Sequence, residues 1–387
     1  MSATNRIIIL GAGFAGLTLA TELDNLAGEG KAEVTLVDRS PNFSVGFSMQ
    51  WSMIGRRKPE DGQRPYTSLR AKNVRFLQDD ITDIDPDSRT VTTSTSKLEY
   101  DHLIIALGAA MAPERIPGLI EASYDLHDTA SVMELKGAIE QMKVGNLLIM
   151  VTAQPFKCPP GPYEYAMLIA QMLKEQGVRD NINITLTTPE PQPLPGADKI
   201  VGDTMKSLIS ERGIEYHPRQ RPVTVDPAAK VVTYEDGTTR SFDVLAAVYP
   251  HTAPQVVKDA GLTDDMGFVP AKLGTFETKG SDVYAVGDIA DLRLPDGRPH
   301  PKNGLFAEEQ AKAVAMNLLA KITVGGPAEY SGLGVCFVDA GDELAAALDV
   351  NLFGENGPQF NMNAPSKEGL QRKVRFEQER LLRWFGG

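Results

Sequence analysis

Apolar residues follow two rhythms along this chain. Short, mostly apolar runs occur at residues 6–10, 33–38, 74–78, 100–107, 147–151, 182–187, 245–248 and 282–285. Runs of this length and composition fit strands, several of them buried on both faces of a sheet. Between them lie stretches with a period near 3.6. One follows Gly13, with Ala15, Leu19, Leu23 and Leu26 on one face; others span 130–142, 163–176 and 306–320, and one over 206–212 closes at Gly213. Strands alternating with helices predict an α/β fold built on parallel sheets. Residues 89–94 read as a further strand. The turn Glu235-Asp236-Gly237-Thr238 joins strands at 231–234 and 240–245 as a hairpin. Near the C-terminus, 334–340 and 345–352 pair as strands, and a helix begins at about Gln371.

The first strand runs into Gly11-Ala12-Gly13-Phe14-Ala15-Gly16, then a helix, then a second strand ending at Asp38. Gly11 permits the tight turn, Gly13 lets backbone approach a pyrophosphate, and Gly16 lets the helix pack on the strand. Asp38 stands where an acid binds an adenosine ribose hydroxyl. Strand, turn, helix, strand and acid are all present, so this unit is expected to bind a dinucleotide. The stretch 41–67 has no clear period and is expected to line the cofactor. An aspartate after a buried strand and a glycine, Asp288 after Gly287, suits a polyol.

A second strand-to-helix junction, at 147–176, lacks a glycine turn. It carries Pro155, Cys158, Pro159, Pro160 and Pro162. Prolines fix φ and lack an N–H donor, so this loop cannot cradle phosphates in the usual way. It holds one thiol near a helix start. The helix N-terminus and Lys157 both favour a thiolate at Cys158, and Glu164 is placed to accept a proton. The plainer alternative is a buried structural cysteine. Glu190, after the strand at 182–187, stands where a ribose-binding acid would lie, but without its glycine turn. His102 precedes a core strand and reads as structural; His251 reads as a surface or loop residue. Lys302 is either a solvated loop lysine or a cation beside an electron-rich ring.

The length of 387 residues allows two or three domains and a large core. A net charge of −12 excludes general nucleic-acid binding. Two cysteines make neither a disulfide framework nor a four-cysteine zinc site, so no metal is expected. No signal peptide and no apolar run of membrane-spanning length is seen, which makes the cytoplasm the expected location. In the tail, Val374, Leu381, Leu382 and Phe385 share one helical face flanked by Trp384, and Arg372, Lys373, Arg375, Arg380 and Arg383 outnumber Glu377 and Glu379. Such a helix either lies peripherally on a membrane or docks on the body or a second copy of the chain.

Taken together, residues 11–16, Asp38, the run from Tyr100 to Gly108 and Tyr284-Ala285-Val286-Gly287-Asp288 resemble the two-dinucleotide flavoprotein reductases. Within them, Phe156-Lys157-Cys158-Pro159-Pro160-Gly161-Pro162-Tyr163-Glu164, Pro301-Lys302-Asn303-Gly304 and Cys336 are similar to sulfide:quinone oxidoreductases and the flavoprotein subunit of flavocytochrome c sulfide dehydrogenase. The resemblance implies two Rossmann-like three-layer domains: a discontinuous FAD domain at 1–113 and 241–320, a second at 114–240, and a C-terminal region at 321–387. It implies FAD contacted by Gly11, Gly13, Phe14, Ala15, Gly16, Asp38, Arg39, Ala106, Gly108, Gly287, Asp288 and Lys302; the first-domain loop has no cysteine to tether it, so non-covalent binding is expected. Cys158 and Cys336 are implied to form a disulfide or polysulfide-bridged pair that sulfide attacks. Glu164 would assist proton transfer, and Lys302 would lie near the flavin pyrimidine and the acceptor. The implied acceptor is quinone or a cytochrome c. A third cysteine carried by many quinone-linked enzymes is missing from Ser123-Tyr124-Asp125-Leu126-His127-Asp128, and no haem-attachment site is present. Two other readings remain open: an NADH-dependent quinone reductase, and a non-enzymatic flavin and thiol sensor.

Overall fold

The computed structural model describes residues 4–323, 325–326 and 328–386. Five parallel strands form the first sheet, in the order Val283–Ala285, His102–Ile105, Asn5–Leu10, Ala32–Asp38 and Arg75–Gln78. Ile7, Ile9, Leu10, Leu36, Leu103 and Ile104 are wholly buried in it. That is why these runs are apolar at successive positions rather than at alternate ones. Helices Phe14–Gly28 and Gly304–Ile322 pack together against it. Since Val283–Ala285 joins this sheet from late in the chain, the first unit is discontinuous.

A second parallel sheet has the order Tyr124–Asp125, Val244–Val248, Gly145–Val151, Ile182–Thr187 and Ile214–His217. The chain is thus α/β with two Rossmann-like cores. An antiparallel sheet of Leu333–Gly341, Leu344–Asn351 and Gln359–Met362 follows, and helix Lys367–Phe385 comes after it.

Helix starts lie earlier than periodicity suggests wherever a polar cap sets them. Asp198 accepts from the Val201 N–H and starts helix Lys199–Ser210, well before residue 206. Ser366 caps the tail helix through the Gly369 N–H, four residues ahead of the expected 371.

His251 is a correction. It is buried, in a short strand His251–Thr252 paired with Ala110–Met111, where the chain passes back and forth between the two cores. Its ring meets that of His127 edge-on at 5.2 Å. His102 sits in the central sheet as expected, 3.5 Å from Asp282.

The tail helix docks on the body. Trp384 is fully buried and meets Phe14 and Phe43 edge-on at 5.2 and 5.4 Å, and Phe385 stacks on Phe43. Its buried face matches the apolar stripe of the helical wheel only in part. Leu381, Trp384 and Phe385 are inside, but so are Lys373 and Glu377, while Leu382 is 54% exposed. The basic residues are largely engaged by acids of the body: Arg372 by Asp349, Lys373 by Glu164, Arg380 by Glu308, and Arg383 by Glu308 and Glu22. Arg57 in turn holds Glu377 through two bonds. No helix among the described residues is long and apolar enough to cross a membrane.

Candidate active site

One cavity of about 790 Å³ runs from the glycine turn to the two thiols. Its wall includes Gly11, Gly13, Phe14, Ala15, Asp38, Arg39, Ala106, Gly108, Gly287 and Asp288, and also Cys158, Glu164 and Cys336. Residues of the aperiodic stretch, among them Phe43, Phe47, Gln50 and Tyr66, line it as well.

At the turn, each glycine has its own steric reason. A Cβ on Gly11, which has φ +95°, would stand 2.5 Å from the Ala106 carbonyl oxygen; one on Gly16 would stand 1.9 Å from the Gly11 oxygen. A Cβ on Gly13 meets nothing within 4 Å, so the space beside it belongs to the cavity. Asp38 accepts hydrogen bonds from the Ala12 and Ser40 N–H groups, which hold its carboxylate at the cavity edge. Asp288 Oδ1 is buried without a hydrogen-bond partner among the described residues, and burial raises the carboxyl above its ordinary range.

At the other end, the strand Gly145–Val151 delivers the proline loop and then helix Gly161–Glu175. Cys158 has φ +55°, uncommon for a residue with a side chain. Its N–H donates to the Lys302 carbonyl at 3.0 Å, and its carbonyl accepts from the Gly161 N–H at 2.8 Å. Cys336 comes from strand Leu333–Gly341, and Asn303 Nδ2 donates to its sulfur. Both are free thiols, half-buried, on the same cavity.

The thiolate expected from Lys157 and the helix start is not what the surroundings favour. Burial pushes the Cys158 thiol up to about 12 and Glu164 adds to the rise, while Lys373 pulls it down. Burial takes Cys336 to about 12 too, against the lowering effect of the Asn303 hydrogen bond.

Glu164 is more constrained than an open proton acceptor. Its Oε1 accepts from the Asp339 N–H at 2.7 Å and from Lys373 Nζ at 2.5 Å, and its Oε2 from Gln50 at 3.2 Å. Lys373 also lies over the Phe47 and Trp51 rings. Asp339 faces this group from the strand of Cys336 and is itself held by Arg56 and Trp51. The tail helix therefore contributes to the cavity wall a cation that spacing could not reveal.

Lys302 is not a solvated loop lysine. It is buried, its Nζ donates to the carbonyls of Asp288 and Ala290 at 2.7 and 2.9 Å, and it sits over the Phe268 ring. Burial lowers it to about 8. Its side chain braces the turn that carries Asp288; Asn303, the next residue, is the one on the cavity wall. Glu190 turns inward as well, bonding the Tyr163 hydroxyl at 2.5 Å and the Thr188 hydroxyl at 3.0 Å.

The pattern of the pyridine nucleotide-disulphide oxidoreductases matches residues 5–311. The chain belongs to that family. As a pyridine nucleotide-disulphide oxidoreductase, it is an enzyme of the flavoprotein oxidoreductase class. It is 27% identical over 363 residues to the sulfide-quinone reductase of Aquifex aeolicus, covering 87% of this chain and 81% of that one. It is 25% identical over 376 residues to a type II NADH:quinone oxidoreductase of Staphylococcus aureus, covering 90% and 91%. Among solved structures, the sulfide:quinone oxidoreductase of Aquifex aeolicus matches with a TM-score of 0.84 at 23% identity, over 97% of this chain and 90% of that one, which shows a shared fold.

Proposed function

We propose that this family member oxidises sulfide, with FAD as the bound cofactor and quinone as the electron acceptor. The observation that carries the reading is that Cys158 and Cys336 open onto the cavity that begins at the glycine turn. The residues fit FAD. The open space beside Gly13 suits a pyrophosphate, Asp38 suits an adenosine ribose, and the unpartnered Asp288 oxygen suits a hydroxyl of the ribityl chain. The first 113 residues contain no cysteine that could tether the flavin, which fits non-covalent binding.

Bound FAD supplies a two-electron acceptor. The chain's own part is sulfur exchange. Hydrosulfide attacks one sulfur of an oxidised Cys158–Cys336 pair; a new S–S bond forms, the old one breaks, and the other cysteine leaves as a thiolate. The attacking sulfur keeps its proton as a persulfide. Lys373, held by Glu164, is the nearby positive charge that offsets a thiolate at Cys158.

Relatedness to NADH:quinone oxidoreductases gives a second reading. Against it stand the proline loop in place of a glycine turn and the use of Glu190 by Tyr163 and Thr188. Anaerobic titration separates the two. Sulfide is expected to bleach the flavin absorbance, and Cys158→Ser or Cys336→Ser to abolish the bleaching. Rapid bleaching by NADH with none by sulfide would overturn the proposal.

A further inference from the structure

Residues 301–303 lead into helix Gly304–Ile322 and contact both cysteines, Cys158 at its backbone and Cys336 at its sulfur. The Lys302 carbonyl accepts from the Cys158 N–H at 3.0 Å, and Asn303 Nδ2 donates to Cys336 Sγ at 2.8 Å. The Asn303 amide has one orientation that satisfies both ends. Its Oδ1 accepts from the Phe306 N–H at 3.0 Å as the cap of the helix, which leaves the NH₂ end for the sulfur. A helix cap is thereby also a sulfur ligand.

An N–H aimed at sulfur favours the anion over the neutral thiol, because hydrogen bonds to charged groups are the stronger ones. The other charges around Cys336 come from two helices and from its own strand. Glu164, on helix Gly161–Glu175, opposes a thiolate at Cys336; Lys373, on the tail helix, is paired with Glu164. Asp339, on the strand of Cys336, is neutralised by Arg56.

We propose that Asn303 is a positioning residue for Cys336: it holds the sulfur on the cavity wall and stabilises it as an anion. The contact stands on its own geometry; its bearing on sulfide turnover rests on the function proposed above.

The test uses the full-length, flavin-bound protein carrying Cys158→Ser, so that Cys336 alone reports. Its alkylation by iodoacetamide is followed as a rate at one mildly alkaline pH, well below the thiol's midpoint, where the rate tracks the thiolate fraction. Asn303→Ser keeps a capping hydroxyl of similar strength but removes the N–H that reaches the sulfur. The rate is expected to fall about tenfold, with the acid constant. Asn303→Asp keeps the cap and sets a carboxylate beside the sulfur, so its rate is expected to fall further. Thermal melts confirm that each variant is folded. An unchanged rate in folded Asn303→Ser overturns the proposal, and should that variant fail to fold, an unchanged rate in Asn303→Asp does so. A lowered rate in a protein whose parent is not bleached by sulfide keeps Asn303 in its place and removes the sulfide reading instead.

Discussion

The glycines of the first turn carry different constraints, and single methyl groups separate them. Gly16→Ala would drive a Cβ to 1.9 Å from the Gly11 oxygen, a backbone atom that cannot step aside. Its expected outcome is loss of soluble folded protein. Gly13→Ala meets nothing in the protein, so its melting temperature without cofactor should match the parent. Its flavin should be lost far more easily, because the methyl enters the space where a phosphate needs the backbone; flavin retained through dialysis measures this. The roles of these glycines can be read from the sequence because local sterics alone fix them. The same cannot be said of Lys373. It pairs with Glu164 from 209 positions away, and in the sequence it is one more cation of a basic helix. Asn303 hides for another reason: its capping position is visible locally, its sulfur partner is not.

Among the elements, the tail helix Lys367–Phe385 shows how a wheel projection misleads. Apolar spacing points Leu382 inward, yet the helix turns its charged Lys373 and Glu377 to the body because Glu164 and Arg57 await them there. Burying charges is tolerated only with such partners. Lys373→Met would leave the Glu164 carboxylate buried and uncompensated, at a cost of about 3–5 kcal/mol. The double variant Lys373→Met/Glu164→Gln removes the lone charge and is expected to recover most of that loss. Denaturant midpoints of the single and double variants check the prediction; equal midpoints would mean that the pair contributes little. Strand positions were legible to within a residue or two where apolar runs are continuous, as at Ile182–Thr187. Helix starts depend on caps such as Asp198, which periodicity does not weigh.

For the molecule as a whole, the second core holds a buried acid, Glu190, under unfavourable conditions. Burial raises Glu190 to about 7, against the pull of its hydrogen bonds from Tyr163 and Thr188. The folded state thus keeps a proton that the unfolded chain releases near the ordinary value of 4.5. Its contribution to stability is complete below that value and is lost as pH rises toward 7. Relative to the parent, Glu190→Gln should show a flatter stability profile between those limits, by roughly 3 kcal/mol across the window. Parallel denaturation series at several pH values read the difference, and identical slopes would refute it. The two-core α/β plan is legible in the alternation of strands and helices. How the cores and tail meet around one cavity is not, since those contacts join residues that no local pattern relates.

Synthesis order gives the seating of Lys373 one more consequence. The glycine turn and the proline loop emerge from the ribosome long before the nineteen residues of the last helix. Until those residues fold back, Glu164 has no lysine, Phe14 and Phe43 have no tryptophan, and the cleft lacks one wall. On the function proposed above, a nascent chain, or one clipped ahead of Lys367, is expected to turn over no sulfide until the tail helix seats Lys373 and Trp384.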